Sequence, residues 1–437
     1  MRHNLKNIFD TAEYSESIKK SRKTRNEWVH FLNQGKIVPY FQPILSIENK
    51  LVFGYEALAR IILADGSIDT IGSFFQSNQD NAHRQDSNYR GFQINIEQHL
   101  REQALKKLIE DSNSDSKLFL NISPSVMMAF LDNRRSDNEI PPTIQKVMEL
   151  GISPERIVIE VTEDHTHKNL EVLKPLIRLY KDFGFLIAID DLGSKSSNLD
   201  RIGIFSPDII KVDMDILRLS LIERSYREIL YTLSRLSESL GVSLLFEGVE
   251  TMQELHQAMS FGARYLQGYL FEKALKLPPD AKKYSSQLSE LINNFYGVKF
   301  EEIRYRVKRD TLVEASIDRL GDQIQFSKEG NIISYADVFD IDQNIFRFFV
   351  TDLQGNQISP NYKRSKNSEV SIQRNTKNYN WSWRPYFQNH LYESHRRPDS
   401  WVISQPYQDI LGEVLLRTFS RTFRNHFILY LDVLYEE

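Results

Sequence analysis

Acids, amides and amines recur in this chain on short apolar runs. Glu56 stands in GYEALAR, Asn121 in LFLNISP, Glu160 and Glu163 in IVIEVTE, and Asp190 and Asp191 end FLIAIDD. Lys211 and Asp213 follow in IIKVD, Glu247 and Glu250 in LLFEGVE, and Gln267 in YLQGYLF. Carboxylates and amides are hard oxygen donors, suited to Mg²⁺ or Mn²⁺ and poorly suited to soft metals. Gathered at one place, so many carboxylates would repel one another and several would take up protons unless cations lay between them. In the adjacent pair Asp190–Asp191, one carboxylate can bridge two ions while its neighbour reaches one of them. Two metals about 3.5–4 Å apart activate water and stabilise both attacking and leaving oxygens in phosphoryl hydrolysis. Lys211, in the same mouth, could orient the nucleophile or offset charge on a phosphate. Taken singly, any of these acids is as well explained by a helix N-terminus or a salt bridge; the set as a whole is not.

The elements that must position them are strands. Short runs rich in Val, Ile, Leu and Phe read as strands buried on both faces, as parallel sheets require. Between them lie the helical patterns NIEQHLREQALKKLIED, PTIQKVMELG, NLEVLKPLIRLYKDFG, SYREILYTLSRLSESLG and QELHQAMSFG. Several close on Gly, which tolerates the positive φ of a helix stop. Strands alternating with helices argue for βαβ units, and acids gathered at the C-terminal ends of the strands describe a TIM-type (β/α)8 barrel with its site on that rim. An entry helix over about residues 20–36 and a first strand in VPYFQPILSI precede the alternation, which ends near Pro278 and Pro279 in KALKLPPD.

The expected organisation is an N-terminal extension (1–24), the barrel (25–280), a connecting helical segment (281–325) and a smaller α+β module (326–437). Ile303, Val307, Leu312 and Ile317 give the connecting segment only a loose apolar stripe, so it reads equally as one surface helix of the second module. Asp352, Gly355 and Asn356 read as a tight turn between two strands.

Bulk composition narrows the classes. With 437 residues the chain can hold one barrel and a further domain, and its hydrophobic share of 41% and charged share of 26% are those of an ordinary globular protein. The 55 basic and 59 acidic residues leave a net charge of −4, which implies no general affinity for a nucleic-acid polymer. There is no cysteine, which excludes disulfides, thiolate metal sites and cysteine nucleophiles. No apolar run approaches the length of a membrane span and MRHNLKNIFD lacks the apolar core of a signal peptide, so the expected location is the cytoplasm.

YEALAR, NISP, EVTE, DDLG, KVD, EGVE and QGYLF stand in the order of the motifs of EAL-domain cyclic di-GMP phosphodiesterases, and the resemblance covers roughly residues 25–280. It implies a modified TIM barrel with one antiparallel strand, and metal-dependent hydrolysis of cyclic di-GMP to linear pGpG with two Mg²⁺ or Mn²⁺ ions. Under it Glu56, Asn121, Glu160 and Asp190 are metal ligands and Asp191 completes the second metal site. Lys211 and Glu247 handle the water, Glu247 as general base. Gln267 lies near the metal-bound phosphate or water, Arg60 meets the dinucleotide, Glu250 and Asp213 complete the rim, and Glu163 anchors the loop after Asp191. A homodimer is also implied. One departure stands out: where the family reads D-D-F-G-T-G-Y-S-S-L, this chain reads Asp190-Asp191-Leu192-Gly193-Ser194-Lys195-Ser196-Ser197-Asn198-Leu199. Lys195 in place of Gly restricts the backbone. This leaves a second reading, a catalytically impaired cyclic di-GMP receptor that signals through a protein partner. A third is a metal phosphodiesterase for another substrate.

The stretch NWSWRPYFQNH with WVISQPYQDILGEVLLRTFS resembles the C-terminal domain of the YkuI-like EAL proteins and, more distantly, Cache-type PAS-like sensors, in which R-P-Y-[FY] lines a small-molecule pocket. That resemblance points to Arg384, Tyr386 and Tyr407 as a pocket for a small carboxylate ligand regulating the barrel. The alternative is that Trp381, Trp383, Tyr386 and Phe387 only fill a core, or that the module packs and dimerises. His165 and His167 form an H-x-H better explained as an exposed loop pair, and Lys19–Arg25 reads as a solvated helix face.

Overall fold

The computed structural model describes residues 25–76, 87–110, 115–136, 139–161, 170–192, 199–321, 335–365, 369–409, 414–423 and 426–435, together with 325, 327 and 332. Strands β1 (Gly35–Ser46) and β2 (Val52–Leu63) form an antiparallel hairpin that sets Gln42 opposite Glu56, and β3 (Ile68–Thr70) lies on the outer flank of β2. From β2 the sheet runs in parallel through β4 (Lys117–Ile122), β5 (Ile157–Val161), β6 (Leu186–Leu192), β7 (Ile209–Val212), β8 (Ser243–Phe246) and β9 (Ala263–Leu266). β9 then closes antiparallel onto β1. The expected α/β barrel is present, with β1 as its reversed strand.

Side chains alternate across a strand, so each parallel strand serves two cores at once. Ile157, Ile159, Val161, Ile187, Ile189, Ile210 and Val212 face the surrounding helices. Phe119, Val158, Ala188, Ile209, Leu245 and Tyr265 fill the lumen. Two residues beyond each of these lumen residues, hence on the same face one layer nearer the rim, come Asn121, Glu160, Asp190, Lys211, Glu247 and Gln267. The polar layer is therefore the last layer of the barrel interior.

The rim is tightly wound after β8 and β9. Gly248 has φ +59°, and a Cβ there would lie 2.6 Å from the Met214 Cβ. Gly268 follows Gln267, and its Cβ would lie 2.0 Å from the carbonyl oxygen of Val249. Because that contact is with backbone, Gly268→Ala is expected to cost about 3 kcal/mol or more. Thermal unfolding of the purified variant checks this, and an unchanged midpoint would show that the turn yields freely.

The chain divides into two compact units between Tyr296 and Gly297. The boundary falls within a helix of 37 residues, Ser285–Gly321. Of the loose stripe on that helix, Ile303, Val307 and Leu312 are exposed, whereas Ile317 is buried in the core of the second unit with Val313. The second unit is built on an antiparallel sheet of β10 (Ile345–Asp352), β11 (Asn361–Arg364), β12 (Val370–Gln373), β13 (Val402–Ile403), β14 (Tyr407–Gln408), β15 (Leu415–Phe423) and β16 (Phe427–Leu434). Their order is β12-β11-β10-β16-β15-β13, with β14 on β15. The turn after β10 is the expected one, with Gly355 at φ +84° and the Asp352 carboxylate accepting from the Gln354 and Asn356 amides.

The helix Pro385–Arg396 lays Phe387 against Phe349, Ile428 and Tyr430. It also buries His390, whose ring nitrogens meet the Ser420 hydroxyl at 2.8 Å and the Thr422 hydroxyl at 3.0 Å. Burial pushes the imidazole pKa down from 6.5 to about 4. The folded chain thus binds this proton more weakly than the unfolded chain. The contribution of His390 is complete above about pH 6.5 and is lost as pH falls toward 4, up to roughly 3 kcal/mol. Urea unfolding followed by tryptophan fluorescence tests this, since Trp381, Trp383 and Trp401 lie in this unit. Wild type should lose stability between pH 7 and 4.5 more steeply than His390→Asn; parallel curves would refute the assignment.

Candidate active site

Lys211 lies at the centre of the polar layer. Its ammonium is 2.8 Å from Glu160 Oε1, 2.8 Å from Glu247 Oε1, 3.0 Å from Asp190 Oδ1 and 3.5 Å from Glu56 Oε2. Four strands and the residue after a fifth are brought to one point in this way, and Asn121 and Gln267 complete the ring through Glu56. The Asn121 amide donates to Glu56 Oε1 at 3.1 Å and the Gln267 amide to Glu56 Oε2 at 2.8 Å. Both amides spend their N–H groups on Glu56, which leaves their carbonyl oxygens as further donors to an ion. The register that pairs Asn121 with Glu160 across β4 and β5 keeps these two ligands at neighbouring positions.

Among the described residues positive charge falls short here. One ammonium faces four carboxylates, and Glu160 and Lys211 are almost wholly buried. Burial, reinforced by the neighbouring Glu56, pushes the Glu160 carboxyl well above its ordinary range against the pull of Lys211. Burial likewise raises Glu247. For Lys211 burial acts downward, but Asp190, Glu160, Glu247 and Glu56 outweigh it and hold the ammonium well above its usual value. Glu160 Oε1, Asp190 Oδ1 and Glu247 Oε1 face the ammonium, but the buried Glu160 Oε2 and Gln267 Oε1 have no hydrogen-bond partner among the described residues. Buried oxygen atoms without donors carry a full desolvation cost, and a divalent cation removes it.

This fits a hard metal. Among the described residues no three His, Asp or Glu side chains are arranged to enclose an ion by themselves. Asn121 contributes an amide rather than a carboxylate, and the Asp191 side chain lies outside the described residues, so neither enters such a group. Glu163, the segment 193–198 with Lys195, and His165 and His167 also lie outside the described residues.

The remaining expected site residues stand further off. Arg60 is on β2, half-buried, donating to the Ala59 carbonyl at 2.9 Å. Burial lowers its pKa, opposed by the charges of Tyr269, Glu56 and Tyr40. Glu250 pairs with Arg218, whose guanidinium is 2.9 Å from its carboxylate. Asp213 caps the helix Met214–Ile222 by accepting from the Asp215 amide. Several residues of the site went unnoticed in the sequence. Arg218 also holds Glu254 at 2.9 Å, and Glu254 accepts from the Glu250 and Thr251 amides, tying the turn after Glu247 to the helix after Lys211. Arg101 and Arg201 brace strand ends from behind, by donating to the carbonyls of Asn121 and of Val161 and Asp190. The only available signal was a charge inside an apolar helical stretch, as in DRIGIF.

In the second unit Arg384 lies over the rings of Trp383 and Tyr407, at 4.7 and 5.6 Å, and Tyr386 stacks on Tyr407 with ring centroids 5.7 Å apart. The three expected pocket residues are therefore together. The Tyr407 hydroxyl is engaged by Thr418 at 2.7 Å and Asp432 at 3.1 Å. Beside it Arg347 holds two carboxylates, Asp432 at 2.6 Å and Asp409 at 3.1 Å.

Comparison with known proteins supplies the relatives. The EAL domain family matches residues 25–274, and an EAL-domain associated signalling protein domain matches residues 284–437. An uncharacterized EAL-domain containing protein of Bacillus subtilis (strain 168), YkuI, is 29% identical over 412 residues, covering 92% of this chain and 95% of YkuI. The probable cyclic di-GMP phosphodiesterase PdeA of Escherichia coli (strain K12) is 26% identical over 245 residues; these are 55% of this chain but only 30% of PdeA. The crystal structure of B. subtilis YkuI in complex with cyclic di-GMP and calcium matches with a TM-score of 0.78 at 26% identity, covering 95% of this chain and 100% of that one. No described helix is long and apolar enough to cross a membrane.

Proposed function

The chain belongs to the EAL-domain family, and from that premise we propose that it is a cyclic di-GMP phosphodiesterase producing linear pGpG, with Mg²⁺ or Mn²⁺ at the end of its barrel. The observation that carries this reading is the gathering of Glu56, Glu160, Asp190 and Glu247 about the Lys211 ammonium, with Glu160 Oε2 and Gln267 Oε1 left without a donor among the described residues. It is supported by relatives named as probable cyclic di-GMP phosphodiesterases and by the YkuI complex with the dinucleotide and a divalent cation.

Glu56, Asn121, Glu160, Asp190 and Asp191 would hold the ions. When bound, such ions act as Lewis acids on the phosphoryl oxygens and lower the pKa of water. The residues divide the remaining work. Glu247 is the most open of the four carboxylates, 23% exposed against 13% for Asp190, 8% for Glu56 and none for Glu160. It is the one a substrate-bound water can reach, and its raised pKa suits a base that takes that water's proton as the new P–O bond forms. The P–O3′ bond breaks, the 3′ oxygen leaves and is protonated from solvent, and one water is consumed per pGpG formed. Lys211 stays protonated and holds the carboxylates in register. Arg60 would meet the dinucleotide, and Gln267 fixes Glu56.

Lys195, standing where the family loop has Gly, favours the second reading, a receptor that binds without turnover. Incubation of the purified chain with cyclic di-GMP and Mn²⁺ separates the two. Conversion to pGpG supports the enzyme, tight binding without conversion supports the receptor, and the absence of both points to a phosphodiesterase for another substrate. Homodimer formation, a small ligand beside Arg384, Tyr386 and Tyr407, and a cytoplasmic location belong to the same proposal.

A further inference from the structure

Arg201 is 4% exposed, on the short helix Asp200–Phe205 that follows β6 in the chain. A buried guanidinium is costly to desolvate and has to be matched by acceptors. Its Nη2 donates to the carbonyl of Val161 at 2.6 Å and its Nη1 to the carbonyl of Asp190 at 3.3 Å. Those carbonyls belong to neighbouring strands, at the point where the parallel ladder runs out. Val161 is the last residue of β5, and the β6–β7 ladder slips between Ile189 and Leu192, across Asp190. Val161 directly follows Glu160, so the two carbonyls flank two of the carboxylates that converge on Lys211.

We infer that Arg201 is a positioning residue: its rigid fork fixes the separation of the β5 and β6 ends and thereby the spacing of Glu160 and Asp190 needed to hold a divalent ion. The inference rests on the metal-site reading above but concerns a side chain that itself touches neither ion nor substrate. A planar fork holds two carbonyls at a fixed separation through two different nitrogens, whereas a lysine ammonium is a single point charge on a flexible stem and imposes no such spacing. Arg101, another buried arginine behind the site, pairs with Glu97 at 3.2 Å and meets the carbonyl of one strand, that of Asn121.

The test is calorimetric titration of Mn²⁺ into the full chain without nucleotide, for wild type, Arg201→Lys, Arg201→Gln and the exposed control Arg235→Gln. Loss of an outer positioning contact weakens metal binding about tenfold or more. Both Arg201 variants should show that loss with a melting temperature close to wild type, while the control binds like wild type. Wild-type affinity in either folded Arg201 variant overturns the inference and leaves the metal site standing. A wild type that takes up no Mn²⁺ sinks the metal site and the inference with it. Failure of both variants to fold makes Arg201 a structural residue only and likewise overturns it.

Discussion

Glu56→Ala should abolish turnover of cyclic di-GMP, lowering kcat/KM about a thousandfold or more, equivalent to roughly 4 kcal/mol of transition-state stabilisation. Glu56 is the point on which the ring of donors closes. It accepts from Asn121 on β4 and from Gln267 after β9, and faces Lys211 on β7 at 3.5 Å. Truncation removes a negative charge from the ion site and at the same stroke frees two amides that the carboxylate had oriented. Glu56→Gln separates these effects, because it keeps the shape and loses the charge. Both variants should be inactive if charge is what matters. Chromatographic separation of pGpG from substrate at saturating Mn²⁺ gives the answer, and more than a tenth of wild-type activity in Glu56→Ala would remove Glu56 from the machinery.

Arg347→Met should destabilise the second unit by roughly 3–5 kcal/mol, the usual consequence of stripping one member from a buried ion pair. Arg347 serves both Asp432 and Asp409, and Asp432 is buried together with Thr418 and the Tyr407 hydroxyl. Burial acts to lower the pKa of the guanidinium, but Asp432 and Asp409 more than compensate and raise it. Removing it strips both carboxylates of the guanidinium that pairs with them. Adding Asp432→Asn should recover part of the loss by deleting one of those charges. Denaturant unfolding of the three proteins is the measurement. If the double variant is no more stable than Arg347→Met, the damage is one of packing and the electrostatic account fails.

The barrel was legible because its signal is local and repeated. A strand buried on both faces has to be apolar at every position but those that reach the rim, so Glu160 in IVIEV and Lys211 in IIKV stand out from their neighbours. The reversed β1 was not readable from its own residues, since antiparallel and parallel strands with buried faces look alike in composition; it came only through resemblance. Glu250 shows the limit of motif reading. It shares EGVE with Glu247, yet a spacing of three across a turn sends the two apart, Glu247 to Lys211 and Glu250 to Arg218. In the second unit Arg384, Tyr386 and Tyr407 were found through their resemblance to a sensor motif. Arg347, Asp409 and Asp432 share no spacing that marks them in the sequence, because Arg347 and Asp432 lie on separate strands and Asp409 follows a third.

Residue types and their period along each strand were enough to determine the kind of fold, the face on which the polar groups lie and the hard-oxygen character of the site. Those properties depend on short-range sterics and on which side chains tolerate burial, both of which act within a few residues. Only the closed barrel decided that the Lys211 ammonium sits amid four carboxylates, that Arg201 reaches across two strand ends, and that Glu247 is the most open of these four acids. These are distances between segments far apart in the chain, and they exist only once ring closure has set every strand against its neighbour.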